Sequence, residues 1–171
     1  ITVPEIEEIF QFLRRGLLEN MIKKIDCISS IDFLAALAQQ CFSNEYLYEE
    51  TPQETTNLSI LNKNIIEILD ANDKLPHDWL LITAAYRPLH KVAWSDQLLN
   101  QKWPDAIQNV LTQQVLEPIV ERSLRTSVSI LTSIKDSVSH AVLEQYEENP
   151  YPVWVRVDLS DTARPIDELL A

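Results

Sequence analysis

Apolar residues recur three and four positions apart along almost the whole chain, the spacing that lines one face of an α-helix. Pro4 suits a first helical turn, and Ile6, Ile9, Phe10, Leu13 and Leu17 follow it as one stripe. Ser30 is placed to cap a second helix, with Phe33, Leu34, Leu37, Ala38 and Cys41 on one side. Asn44 to Glu50 either continues that helix or turns out of it. Thr51-Pro52-Gln53-Glu54 has the order of a capping box, with proline at the first helical position. Leu58, Leu61, Ile65, Ile68 and Leu69 carry the stripe beyond it to Asp70.

Residues 71–74 read as a loop. Pro76 opens a helix through Trp79, Leu80, Ile82 and Ala85, and Pro88 ends it. Ser95 caps a short turn with Leu98 and Leu99. Pro104 opens the next helix, with Ile107, Val110, Leu111, Val115 and Leu116 on one face. Pro118 lies inside that pattern and is expected to kink or split it, with Ile119, Leu124 and Val128 beyond. A last helix starts near Thr132 or Ser133, with Val138, Ala141, Val142 and Tyr146 as its apolar side, and Asn149-Pro150 stops it.

After Pro150 the pattern changes. Val153, Val155 and Val157 alternate with Trp154, Arg156 and Asp158, one short strand without a partner strand. Residues 165–171 can turn helical again. No clean repeat of a helical-array length stands out. The reading is an all-α fold: one domain of about seven helices over residues 1–149, and an extended junction over 150–171.

The totals narrow the function classes. Of the 171 residues 46% are hydrophobic and 23% charged, which supports a packed core. The net charge of −12 argues against nucleic acid or an anionic membrane surface as the main partner, since both are polyanions. The lone Gly16 cannot build a phosphate or dinucleotide loop, which needs several glycines for tight turns and close backbone approach. Apolar runs fall well short of the ~20 residues of a membrane span. Glu5, Glu7 and Glu8 break any signal-peptide pattern. The chain starts at Ile1 and has Met21 as its only methionine, as a fragment would. Cys27 and Cys41 sit among apolar residues and read as buried free thiols of a reducing compartment, with a disulfide between them as the open alternative.

Few side chains point to chemistry. Asp136, His140, Glu144 and Glu148 share one helix face at four-residue spacing, a conceivable metal or acid–base set, but a solvated polar face explains them better. His77 and His90 lie far from His140 in sequence. Arg87-Pro88-Leu89-His90-Lys91 is a small basic island that reads first as a packed connector. Ser95 and Ser123 lack a nucleophile elbow. Trp79, Trp94, Trp103 and Trp154 read as core or edge anchors.

The stretch Gln145-Tyr146-Glu147-Glu148-Asn149-Pro150-Tyr151-Pro152-Val153-Trp154 ends the last helix and stiffens its exit, because two prolines fix the direction of the chain. Glu147 and Glu148 suit a ligand hydroxyl or amine. Together with Ala36-Leu37, the run Gln40 to Tyr46, Tyr86-Arg87-Pro88-Leu89, Trp103-Pro104, Gln114-Val115 and Glu117-Pro118, this stretch resembles a bacterial family. In that family a helical region, often following tetratricopeptide repeats, leads into a class I S-adenosylmethionine-dependent methyltransferase domain. The likeness covers roughly residues 30 to 157, and its specific core is QYEENPYP. Val153 stands where the family usually has arginine.

The resemblance implies a helical accessory domain, not catalytic alone, cut off before its catalytic part. It would orient the substrate or cap the cofactor cleft. Tyr146, Glu147, Glu148, Asn149, Pro150, Tyr151, Pro152 and Trp154 would be its cofactor-binding residues at the junction. S-adenosylmethionine would be bound by the longer protein and not by this stretch. The implied partners are the chain's own downstream catalytic domain and a protein or peptide substrate, in the cytoplasm. The resemblance carries over no catalytic residue. Two rivals stand beside it: a free-standing helical module that takes a protein or peptide in a groove, and a small enzyme built on the Asp136, His140 and Glu144 face.

Overall fold

The computed structural model describes residues 4–25, 30–125, 127 and 137–148. All regular structure among them is helical. The chain divides into two compact units, Ile1–Ser129 and Ile130–Ala171. The first holds α1 (Pro4–Ile22), α2 (Ile31–Ser43), α3 (Pro52–Asp70), α4 (His77–Ala84), α5 (Ser95–Leu98), α6 (Asp105–Leu111) and α7 (Glu117–Arg125). The second holds α8 (Ser137–Glu148). A π turn, Thr112–Leu116, joins α6 to α7 without a break, so these eight segments form seven helical rods among the described residues. The expected strand at 153–157 and the extended tail over 150–171 lie outside the described residues.

The short α4 is the centre of the first unit. Leu80, Leu81, Ile82, Thr83 and Ala84 are all buried, so the second half of the helix is covered on every side, while Asp78 in its first turn is exposed. It packs on α1, α2, α3 and α6. A helix apolar all round belongs inside such a bundle. The core continues through Leu34, Leu37 and Ala38 of α2, Leu61 and Ile65 of α3, and Ile107, Val110 and Leu111 of α6.

Two of the expected side-chain caps form, whereas Ser95 is the first residue of α5 and Trp94 precedes it as a cap without a side-chain bond, so the Ser95 cap is not made. Ser30 Oγ accepts from the Phe33 N–H at 3.0 Å. Thr51 and Glu54 form the expected capping box: Thr51 Oγ1 accepts from the Glu54 N–H at 3.2 Å, and Glu54 Oε2 accepts from the Thr51 N–H at 2.9 Å. Pro76 and Pro104 precede α4 and α6 as caps without a side-chain bond.

Three helices end in one way. Ile25 N–H reaches Asn20 O, Tyr46 N–H reaches Cys41 O, and Asp73 N–H reaches Ile68 O, each five residues back. The residue before each donor is left-handed: Lys24 at φ 55°, Glu45 at 57° and Asn72 at 56°. These are Schellman ends, which glycine usually occupies. Tyr46 is left-handed as well, at 58°. Residues 44–50 therefore turn out of α2, which settles the choice that the sequence left open.

The structure corrects the expected apolar faces of three helices and bears out one expected interruption. In α1, Ile6 and Ile9 are exposed, and Arg14 and Leu18 are buried instead. The buried row runs Phe10, Arg14, Leu18, with Leu17 and Met21 beside it. In α2, Phe33 is exposed and Ala35 takes its place in the core. Pro118 interrupts the regular α-helix as expected: the backbone widens into the π turn just before it, where Glu117 N–H bonds Thr112 O, and α7 follows. Beyond it Ile119, Val120 and Leu124 continue the apolar row but stay exposed. In α8, Val138, Val142 and Tyr146 are exposed too, so the expected apolar side is present but uncovered within the described residues.

Candidate functional site

Two places in the first unit bring chemistry-bearing side chains together. One is a buried polar centre where α1, α2, α3 and α4 meet. Arg14 is 2% exposed, yet it carries a charge into the core. Its guanidinium lies over the Tyr86 ring at 4.1 Å and near the Tyr48 ring at 5.4 Å. Nη2 donates to Tyr48 O at 3.3 Å and Nη1 to Ala85 O at 3.5 Å. Glu54 is the counter-charge, 4.0 Å from Nη2 and 3.3 Å from Arg15 Nε. Tyr86 donates its hydroxyl to Glu54 Oε1 at 2.7 Å. A buried charge persists only when it is paired and hydrogen-bonded in this way.

Electrostatics follow the packing. Burial pushes the Glu54 carboxyl up, but bonds from Thr51 and Tyr86 and the charge of Arg15 outweigh it and hold the group below the usual carboxylate range. Burial pushes the phenols of Tyr46 and Tyr86 well above their ordinary values, so both stay neutral donors. Cys41 is a free, buried thiol beside Arg14, and burial pushes it up to about 11, which makes it a poor nucleophile. Cys27 lies outside the described residues.

Gln114, in the π turn, ties the same region from the other side. It is fully buried. Nε2 donates to Ala38 O and Ala84 O, each at 3.2 Å. Oε1 accepts from the Leu89 N–H at 3.3 Å. The Tyr46 hydroxyl donates to Ala84 O at 3.0 Å and lies 3.4 Å from Gln114 Oε1. His90 Nδ1 lies 3.1 Å from Gln114 O, the carbonyl that Pro118, four residues on, has no N–H to meet. That contact requires the proton on Nδ1. Arg87 is paired with Glu50, and within the basic island only Leu89 is buried, while Arg87 and Lys91 stay exposed.

The second place is an open groove of about 430 Å³. Its floor is apolar: Met21 and Ile22 from α1, Ile60, Leu61 and Ile68 from α3, and Trp79 from α4. Lys24, Asn64, Glu67 and Asp73 stand around it. The size and lining fall in the range of ligand clefts.

The residues implied by the family likeness fare differently. Tyr146 stands on α8, 60% exposed. Glu147 and Glu148 are the last described residues of α8. Asn149, Pro150, Tyr151, Pro152 and Trp154 lie outside the described residues, and so does Asp136. Among the described residues no three metal-ligating side chains converge. His77 lies edge-on to Trp103 at 5.7 Å, and His90 lies edge-on to Phe42 at 6.5 Å. Trp94 is buried, with Nε1 bonded to Asn62, and Trp103 bonds Leu98 O, so both anchor the core edge as expected.

Sequence reasoning passed over Arg14, Glu54 and Gln114 as a buried set. A signal existed: Arg14 lies four residues after Phe10 and four before Leu18, in the row that the helix buries. Among the described residues no helix is long and apolar enough to cross a membrane. No protein-family model, curated protein or solved structure matches this chain.

Proposed function

We propose that the chain is a helical accessory domain of an S-adenosylmethionine-dependent methyltransferase, acting in the cytoplasm to orient the substrate or cap the cofactor cleft. One observation supports the reading. Of the upstream pieces that carry the family likeness, residues 36–46, 86–89 and 114–118 meet around Gln114, which bonds Ala38 O and the Leu89 N–H and lies beside the Tyr46 hydroxyl, whereas Trp103 packs on His77 and bonds Leu98 O. Most of the pieces of a likeness scattered along the sequence thus share one packed centre, which supports the reading. In this reading the motif from Tyr146 to Trp154 faces the cofactor domain.

Calorimetric titration with S-adenosylmethionine tests it, on this chain and on any longer protein that continues it. The longer protein should bind, this chain should not, and Tyr151→Ala or Glu148→Ala should weaken binding about tenfold, as loss of one good contact does. Binding by neither would remove the methyltransferase reading.

A second reading is a free-standing helical module that takes a peptide. The open apolar groove between α1, α3 and α4 favours it.

A further inference from the structure

The groove has a direction and a charge. Ile60, Asn64 and Ile68 stand four residues apart on α3, so they form one straight row along the helix. Eight residues of helix span about 12 Å, just over two turns. Ile60 is 43% exposed although it borders the core, which leaves its side chain free to be covered. Of the groove's charged residues Glu67 and Asp73 are acidic and Lys24 is basic. Lys63 is 3.8 Å from Glu67, but both are exposed, and such a pair on a helix surface is worth little and yields readily to a competing cation. The whole chain adds a net charge of −12, whose field draws cationic groups and repels acidic ones.

We propose that this groove receives a basic amphipathic helix of another polypeptide. Its apolar side chains, spaced three and four apart, rest on Ile60, Ile68 and Trp79, and its lysines or arginines reach Glu67 and Asp73. A row about 12 Å long accepts two or three such anchors, which is how amphipathic helices read grooves. The inference builds on the peptide-module reading and names the partner's chemistry; it does not depend on the methyltransferase reading.

The test uses the full 171-residue chain and three fluorescein-labelled synthetic peptides of about 16 residues, long enough to form a helix. The first is a leucine–lysine amphipathic helix. The second keeps the leucines and replaces each lysine by glutamate. The third scrambles the first at equal charge. Fluorescence anisotropy should show binding of the first alone. Ile60→Glu should weaken it about 30-fold, as removal of a central contact does, and Glu67→Lys with Asp73→Lys about fivefold, more at low salt. Circular dichroism confirms that the variants fold. Equal binding of the scrambled peptide, or binding that Ile60→Glu leaves unchanged, overturns the groove as the site. Equal binding of the glutamate peptide keeps a peptide groove but overturns the basic partner. Failure of all three peptides overturns both the inference and the peptide-module reading, and bears on neither arm of the S-adenosylmethionine titration.

Discussion

Gln114 shows how much one buried side chain can hold in place. A glutamine amide has two donors and one acceptor oxygen. Here the donors meet carbonyls of Ala38 and Ala84, and the oxygen meets the Leu89 N–H. Replacing it with leucine would keep most of the volume and remove every one of these bonds. The Leu89 N–H would then be left without a partner in an apolar core, at a cost of roughly 1–3 kcal/mol, while the Ala38 carbonyl keeps its helical bond within α2. Gln114→Leu should therefore destabilise the fold by about 2 kcal/mol, measured by urea unfolding. A loss below about 1 kcal/mol would mean that the network is loosely held. Arg14 works by the same logic. Its flat guanidinium lies over Tyr86, a contact that a lysine ammonium would not reproduce.

At the scale of elements, the one glycine and the helix ends are mismatched. Gly16 sits inside α1, where a Cβ would meet nothing within 4 Å. A glycine in a helix interior costs about 1 kcal/mol relative to alanine. Meanwhile Lys24, Glu45 and Asn72 hold left-handed positions, which cost an ordinary residue roughly 1–2 kcal/mol and glycine almost nothing. Gly16→Ala and Glu45→Gly should each raise stability by about 1 kcal/mol, and together by about 2, because one site lies inside α1 and the other beyond the end of α2. Thermal and urea unfolding of the single and double variants measures this. If Glu45→Gly lowers the midpoint, the turn after α2 draws more from the glutamate side chain than from its backbone angle. The π turn is a second element-scale device. It brings Gln114 into the core at Thr112–Leu116, just where Pro118 removes a backbone donor.

For the whole molecule, two titrating groups shape acid stability in different windows. Burial lowers the His90 value from 6.5, against the bond to Gln114 O. The folded protein then binds fewer protons than the unfolded chain as pH falls through 6.5, so stability falls with pH in that window. Glu54 is held below 4.5, so its contribution is full above that value and is lost as pH falls through the lower folded one. The thermal midpoint should therefore decline in two steps on acidification. His90→Gln should flatten the upper step and leave the lower one. An unchanged upper step would assign it to another group.

Much of the first unit was legible from local chemistry. The Ser30 cap, the Thr51–Glu54 capping box and the prolines before α4 and α6 act within a few residues, so their neighbours in sequence decide them. The period of the apolar residues decided that the fold is helical. What it could not decide was which side of an apolar helix faces inward. In α1 the choice between Ile9 and Arg14 rested on Glu54, Tyr86 and Tyr48, partners dozens of residues away. A charge enters a core only where such partners already stand, and sequence spacing does not reveal them. The groove on α1, α3 and α4 is likewise a product of packing, since its floor is set by how three helices cross. Local propensity and period thus settled the helices and their ends. Tertiary packing alone decided which polar side chains are paired inside the core and which apolar ones stay exposed, because both depend on contacts made across the chain.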